Sequence, residues 1–210
     1  MERRRVWAGA LAVAVLVALA WWLSAAGAAV DRQRNDAMAR VVQLDAQLDQ
    51  AKKDARAARK ATVLVRSGWA QLHAAPSSRP RSLALKAIAD GGDAFRTSSR
   101  AMLEAFATLG LYQGDIRAAR QTASGAAAYL EDAVWSYGHG SLADGDRAFA
   151  HARLAFDNFF DAAGDLWRSA LGRRNQPLDD ARRLQKPFPA SLVDHPQFPP
   201  NRSDALEASR

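Results

Sequence analysis

The chain has 210 residues, with 29 Lys and Arg against 22 Asp and Glu, a formal net charge of +7, 49% apolar residues and no cysteine. That apolar share is enough for a hydrophobic core and excludes wholesale disorder. The lack of cysteine excludes disulfides, zinc–thiolate sites, iron–sulfur clusters and a Cys nucleophile. The four histidines, His73, His139, His151 and His195, have no metalloprotease spacing, and no phosphate-binding glycine loop, dinucleotide fingerprint or nucleophile elbow is present.

Arg3, Arg4 and Arg5 precede Val6–Val30, a run of 25 residues without a charge. About 20 helical residues cross a bilayer core of roughly 30 Å, so this run predicts a transmembrane helix. The arginine flank predicts that the N-terminus stays in the cytoplasm and the remainder is exported. Trp21 and Trp22 fall where indole rings favour the outer interface. The competing reading is a signal peptide cleaved after Ala28, since Ala26-Gly27-Ala28 places small residues at the −3 and −1 positions. Either way the bulk of the chain is expected outside the cytoplasm. The expected location is a bacterial inner membrane, single-pass with the bulk in the periplasm; after cleavage it would be a soluble periplasmic or secreted protein. Nucleic acid is then not an expected partner for the basic charge.

Asp31–Ala75 reads as one long helix. Small or apolar residues alternate every four and three positions, with Val41, Leu48, Ala55, Thr62 and Trp69 in one register and Ala37, Leu44, Ala51, Ala58, Val65 and Leu72 in the other. Alanine in the middle of that seam buries little area, so the helix is expected to need partners. Pro76 and Pro80 end it. A second helical region, about 81–109, carries Ile88, Phe95, Met102 and Leu109 at seven-residue spacing, and Gly91-Gly92-Asp93 is expected to interrupt it with a kink or to divide it into two short helices. A third helix is expected over about 115–137, capped by Asp115. A fourth, capped by Ser141, is expected over about 142–171 and to stop at Gly172.

The expected fold is therefore all-α: an antiparallel, up-down bundle of about four helices after a single N-terminal transmembrane helix. The expected domains are 1–30, the anchor or signal peptide; 31–172, the bundle; and 173–210, a flexible tail holding six of the eight prolines, with at most a helical turn near Leu178–Leu184. Residues 31–109 are net +6 and residues 110–172 net −3, which favours pairing of the two helical hairpins.

Three groups of residues are candidates for chemistry. Asp157, Asp161 and Asp165 stand at i, i+4 and i+8, one stripe that suits a hard cation or, more simply, salt bridges to Lys52, Arg56 and Arg59. His139, between two glycines, and His151, beside the fourth helix's seam, are lone histidines, expected as an exposed turn residue and a partly buried hydrogen-bonding residue. Trp69, Tyr112, Tyr129, Trp135, Tyr137 and Trp167 either enter the core or line a pocket for an apolar or cationic ligand. No catalytic pair and no cofactor is expected. The functional expectation is a non-catalytic interaction or scaffolding protein of the cell envelope, bound to the membrane through residues 6–30 and to a protein partner or a second copy through its helical seams. The alternative is a ligand- or metal-binding four-helix sensory module acting through a partner.

Overall fold

A computed structural model describes residues 2–74 and 78–182. They form four α-helices and, among the described residues, no strand: α1 Glu2–Ala74, α2 Ser78–Thr108, α3 Gln113–Gly138 and α4 Leu142–Arg182. Two compact units are present. One comprises Leu44–Arg174; the other comprises the residues before 44 together with the described residues after 174.

In the Leu44–Arg174 unit the seam of α1 is buried, from Leu48 through Ala51, Ala55, Ala58, Thr62 and Val65 to Leu72. Its alanines leave room for large side chains from α2 and α4. Phe95 lies 4.6 Å from Phe156 and 5.3 Å from Phe159, both edge to face, and Phe106 meets Trp167 at 6.4 Å. Edge-to-face pairs add about 0.5–1.5 kcal/mol beyond area burial. Helix α3 supplies Ile116, Ala119, Ala126, Leu130 and Ala133 to the same core. The α1–α4 contacts run in opposite chain order: Asp45 with Arg174, Arg59 with Phe160, and Trp69 with Phe149.

Helix α2 is not interrupted at Gly91-Gly92, contrary to the expectation from sequence. A Cβ on Gly91 would lie 2.6 Å from Val65 Cγ2 and 3.1 Å from the Ala61 carbonyl oxygen, and one on Gly92 would lie 3.2 Å from Leu130 Cδ1. The glycines therefore serve close packing against α1 and α3 and do not mark a break. Gly68 repeats the device on α1, where a Cβ would stand 3.0 Å from the Ala84 carbonyl oxygen. Helix α2 also starts earlier than expected. Pro80 sits in its first turn, where the missing N–H removes no intrahelical bond.

Helix α4 likewise runs past its expected stop at Gly172, through Pro177, to Arg182. Gly172 meets open space, and the added turns bury Arg174 and Leu178 to 1% and 2% exposure. Residues 173–182 are therefore helix and not extended tail; the tail expected over 183–210 lies outside the described residues. Asp115 does not cap α3, whose N-cap is Tyr112 without a side-chain hydrogen bond. Ser141 does precede α4, and its hydroxyl donates to Asp144 at 2.6 Å.

In the other unit α1 continues without a break through the apolar run. Leu16, Val17, Trp21 and Trp22 are 63–74% exposed. Val41 and Leu178 are buried in this unit. Helix α1 is long and apolar enough to cross a membrane, and none of its most apolar window is covered.

The glycine packing gives a paired test. Gly91→Val should lower stability by about 1–3 kcal/mol, the usual effect of overpacking. Gly125→Ala, on α3 with nothing within 4 Å of its added methyl, should raise stability by about 0.5–1 kcal/mol. Chemical denaturation of the three proteins measures both signs.

Candidate functional site

The most elaborate polar cluster joins the C-terminal ends of α1 and α3 to the first turns of α4. Gly140, at φ +87°, turns the chain between α3 and α4 in a conformation that favours glycine. The Ser141 N–H donates back to the Ser136 carbonyl at 3.0 Å. This tight turn sets Asp146 against Tyr137, nine residues earlier. Gly145 is required there, because a Cβ would come within 2.3 Å of the Tyr137 ring.

One oxygen, Asp146 Oδ1, collects the donors. The Tyr137 hydroxyl donates to it at 2.6 Å and Trp69 Nε1 at 3.1 Å. Trp69 Nε1 also reaches the Tyr137 hydroxyl oxygen at 3.0 Å. His73 Nε2 lies 2.9 Å from the same Asp146 oxygen, and its Nδ1 lies 3.1 Å from the Trp69 carbonyl oxygen. Both ring nitrogens thus face acceptors, and the imidazolium form donates to each. Phe149 stacks on Trp69 at 5.2 Å, with the rings 8° from parallel.

Partial burial pushes the Asp146 carboxyl up, but the hydrogen bonds from Tyr137, Trp69 and His73 and the His73 charge outweigh it and hold the pKa below the usual carboxylate value. Burial, then the hydrogen bond and charge of Asp146, drive the Tyr137 phenol well above its ordinary range. The cluster therefore keeps a carboxylate ionised and a phenol protonated. That is the chemistry of a clasp between helix ends, with the Asp146 carboxylate near the start of α4, where its charge suits the helix dipole, and His73 in the last turn of α1.

A second clasp closes the other end of this unit. Arg174, 1% exposed, donates Nε to Asp45 Oδ1 at 2.8 Å and Nη2 to Oδ2 at 2.9 Å, a bidentate pair. Between α2 and α3 runs an open groove with two hollows of about 530 and 410 Å3 that share Arg96, Ala127 and Glu131. The Arg96–Glu131 ion pair spans it, and Trp135, 65% exposed, stands at one rim.

The candidates read from sequence are dispersed. Asp157, Asp161 and Asp165 are all exposed. Asp157 pairs with Arg66 at 3.5 Å, and not with Lys52, Arg56 or Arg59, while Asp165 pairs with Arg168 on its own helix. Among the described residues no group of three or more His, Asp or Glu could hold a metal ion. His139 is exposed and stacks on Trp135 at 4.1 Å. His151 is exposed rather than half-buried and stacks on Tyr129 at 5.2 Å. The six aromatic residues do not line one pocket. Trp69 and Tyr137 meet in the clasp and Trp167 enters the core, whereas Tyr112, Tyr129 and Trp135 stay on the surface.

His73, Asp146, Asp45 and Arg174 carry the two clasps and have no local signature, since their ion-pair partners are 73 and 129 positions away. Compared with protein families, curated proteins and solved structures, the chain matches none of them.

The depressed Asp146 pKa fixes the sign of a pH effect. Its contribution is present above the unfolded value of about 3.9 and is lost as pH falls through the lower folded value. Asp146→Asn should lower stability near neutral pH by about 1–2 kcal/mol, the scale of a charge-assisted hydrogen bond at a half-exposed site. The gap between the two proteins should begin to narrow below about pH 4, where the unfolded carboxylate takes up a proton that the folded one resists until the pH falls through its lower value. Denaturation midpoints from pH 7 to pH 3 measure this.

Proposed function

We propose that this is a membrane-anchored, extracytoplasmic helical protein with a non-catalytic interaction or scaffolding role in the cell envelope. Residues 6–30 are the single-pass anchor, the N-terminus lies in the cytoplasm, and the helices beyond it stand in the periplasm of a bacterial inner membrane. The observation that carries this reading is the apolar stretch of α1. Large side chains such as Leu16, Trp21 and Leu23 are 62–74% exposed, an arrangement that water disfavours and a bilayer satisfies.

The Leu44–Arg174 helices fit an up-down antiparallel bundle. The opposite chain order of the α1–α4 contacts supports it, as do the short turns between α2, α3 and α4. A binding role, and not catalysis, suits the first clasp, where hydrogen bonds keep the Asp146 carboxyl ionised, and burial and the bond to Asp146 keep the Tyr137 phenol protonated. The groove between α2 and α3, with Arg96 and Glu131 across it and an exposed Trp at its rim, has the composition of binding surfaces.

The full-length protein should pellet with membranes and stay there after an alkaline carbonate wash. The intact mass of the purified protein should begin at Met1 or Glu2. Release by carbonate, or a mature start at Ala29, would replace the anchor with a cleaved signal.

A further inference from the structure

From Ala55 to Ala89 the chain has seven Lys and Arg and no Asp or Glu. On the outer side of α1, Lys53, Arg56 and Lys60 are exposed at i, i+3 and i+7, and among the described residues no carboxylate stands within ion-pair distance of any of them. Asp49, also exposed, lies one turn before them. The neighbouring helix α4 carries the inverse pattern. Its exposed residues Asp157, Asp161 and Asp165 are followed by Arg168. The carboxylates of Asp157 and Asp165 remain 63% and 69% exposed despite their surface pairs.

The two patterns are in register. The Asp45–Arg174, Arg59–Phe160 and Trp69–Phe149 contacts set the level of α4 against α1. Both helices rise 1.5 Å per residue. Interpolated between those contacts, Arg168, Asp165, Asp161 and Asp157 stand within about two residues, or 3 Å, of the levels of Asp49, Lys53, Arg56 and Lys60. Each of these four charges on α1 therefore has an opposite charge at about its own height on α4, one helix away. The α1 cations face outward and, among the described residues, are not neutralised.

A two-fold axis parallel to the helices and lying in the plane of this face would place α1 of one copy over α4 of the other without changing height. We propose that the chain forms such a two-fold homodimer, with Lys53, Arg56 and Lys60 of each copy against Asp157, Asp161 and Asp165 of its partner. The contact is self-complementary, as an isologous interface must be. Exposed Val63 and Leu154 stand at one edge of the same face, 55% and 60% exposed, and at nearly the same height. The two-fold brings Val63 of each copy toward Leu154 of the other and gives the charged stripes an apolar margin. The inference stands on these two helices and does not depend on the membrane reading, although two parallel copies suit anchors in one bilayer.

The test uses the full chain in detergent micelles, with light scattering to obtain the protein mass. At low ionic strength the mass should be twice the 22.7 kDa of one chain, and the dimer should weaken as salt screens the stripes. Reversing one stripe, Lys53→Glu with Arg56→Glu and Lys60→Glu, should weaken self-association at least tenfold, with helical circular dichroism unchanged. Adding Asp157→Lys, Asp161→Lys and Asp165→Lys to the same chain should restore the dimer. A wild-type monomer at about 100 μM in low salt would overturn the proposal and leave the face to an acidic partner. A dimer indifferent to the reversal would overturn it in favour of pairing elsewhere, such as through the apolar segment. Carbonate fractionation of the reversed protein reads the anchor separately and should be unchanged.

Discussion

The arrangement of the Leu44–Arg174 unit depends on how closely α1 and α2 approach each other. At Gly91 and Gly68 the facing backbone and Val65 leave no space for a methyl group. Such closeness brings dispersion contacts that longer side chains would hold apart. It also means that α1, with alanine through the middle of its buried seam, contributes little volume to the core there. The volume comes from the phenylalanines of α2 and α4, which meet across the space that the alanines leave open. A small seam on one helix and large rings on its neighbours form one packing solution. A larger residue at Gly91 and a smaller one at Phe95 would spoil it from opposite sides.

Packing alone does not set the sliding position of two long helices, because an alanine seam looks similar from one turn to the next. The two clasps supply that information. Asp146 gathers donors from α1 and α3 at one end, and the Asp45–Arg174 fork joins α1 to α4 at the other. Each clasp has a charged hydrogen bond in defined geometry, which a one-turn slip would break. The register they hold is the one that sets the α1 and α4 charge patterns at equal height.

The helices and their buried faces were legible in the sequence because heptad spacing reports a buried stripe directly. Leu48, Ala55, Val65, Ile88, Phe95 and Met102 are buried where that spacing puts them. The breaks were not legible. Gly91 and Gly172 look alike in one dimension, yet one makes room for a neighbouring helix and the other meets open space within an unbroken helix. Pro177 is carried inside α4, whose added turns bury Arg174 and Leu178. The clasps were hidden for a different reason. Asp45 and Arg174 are 129 positions apart, and no local pattern marks a residue whose partner is that distant. The aspartate stripe was legible as a stripe but not in its role, because what an exposed carboxylate meets is decided by the neighbouring helix.

These features support the proposed function: an apolar helical segment continues into a cored helical unit, whose outer faces offer charge patterns and a groove. In that picture the helix that anchors the protein also carries the basic stripe, so membrane attachment and recognition share one element. The orientation of that element across the bilayer is the claim on which the picture turns. Because the chain has no cysteine, single reporters can be placed without background. Ser67→Cys, exposed on α1, should react with a membrane-impermeant maleimide in cells whose outer membrane alone has been permeabilised. Glu2→Cys should react only after the inner membrane is lysed. Labelling of Glu2→Cys before lysis, with Ser67→Cys protected, would contradict the account.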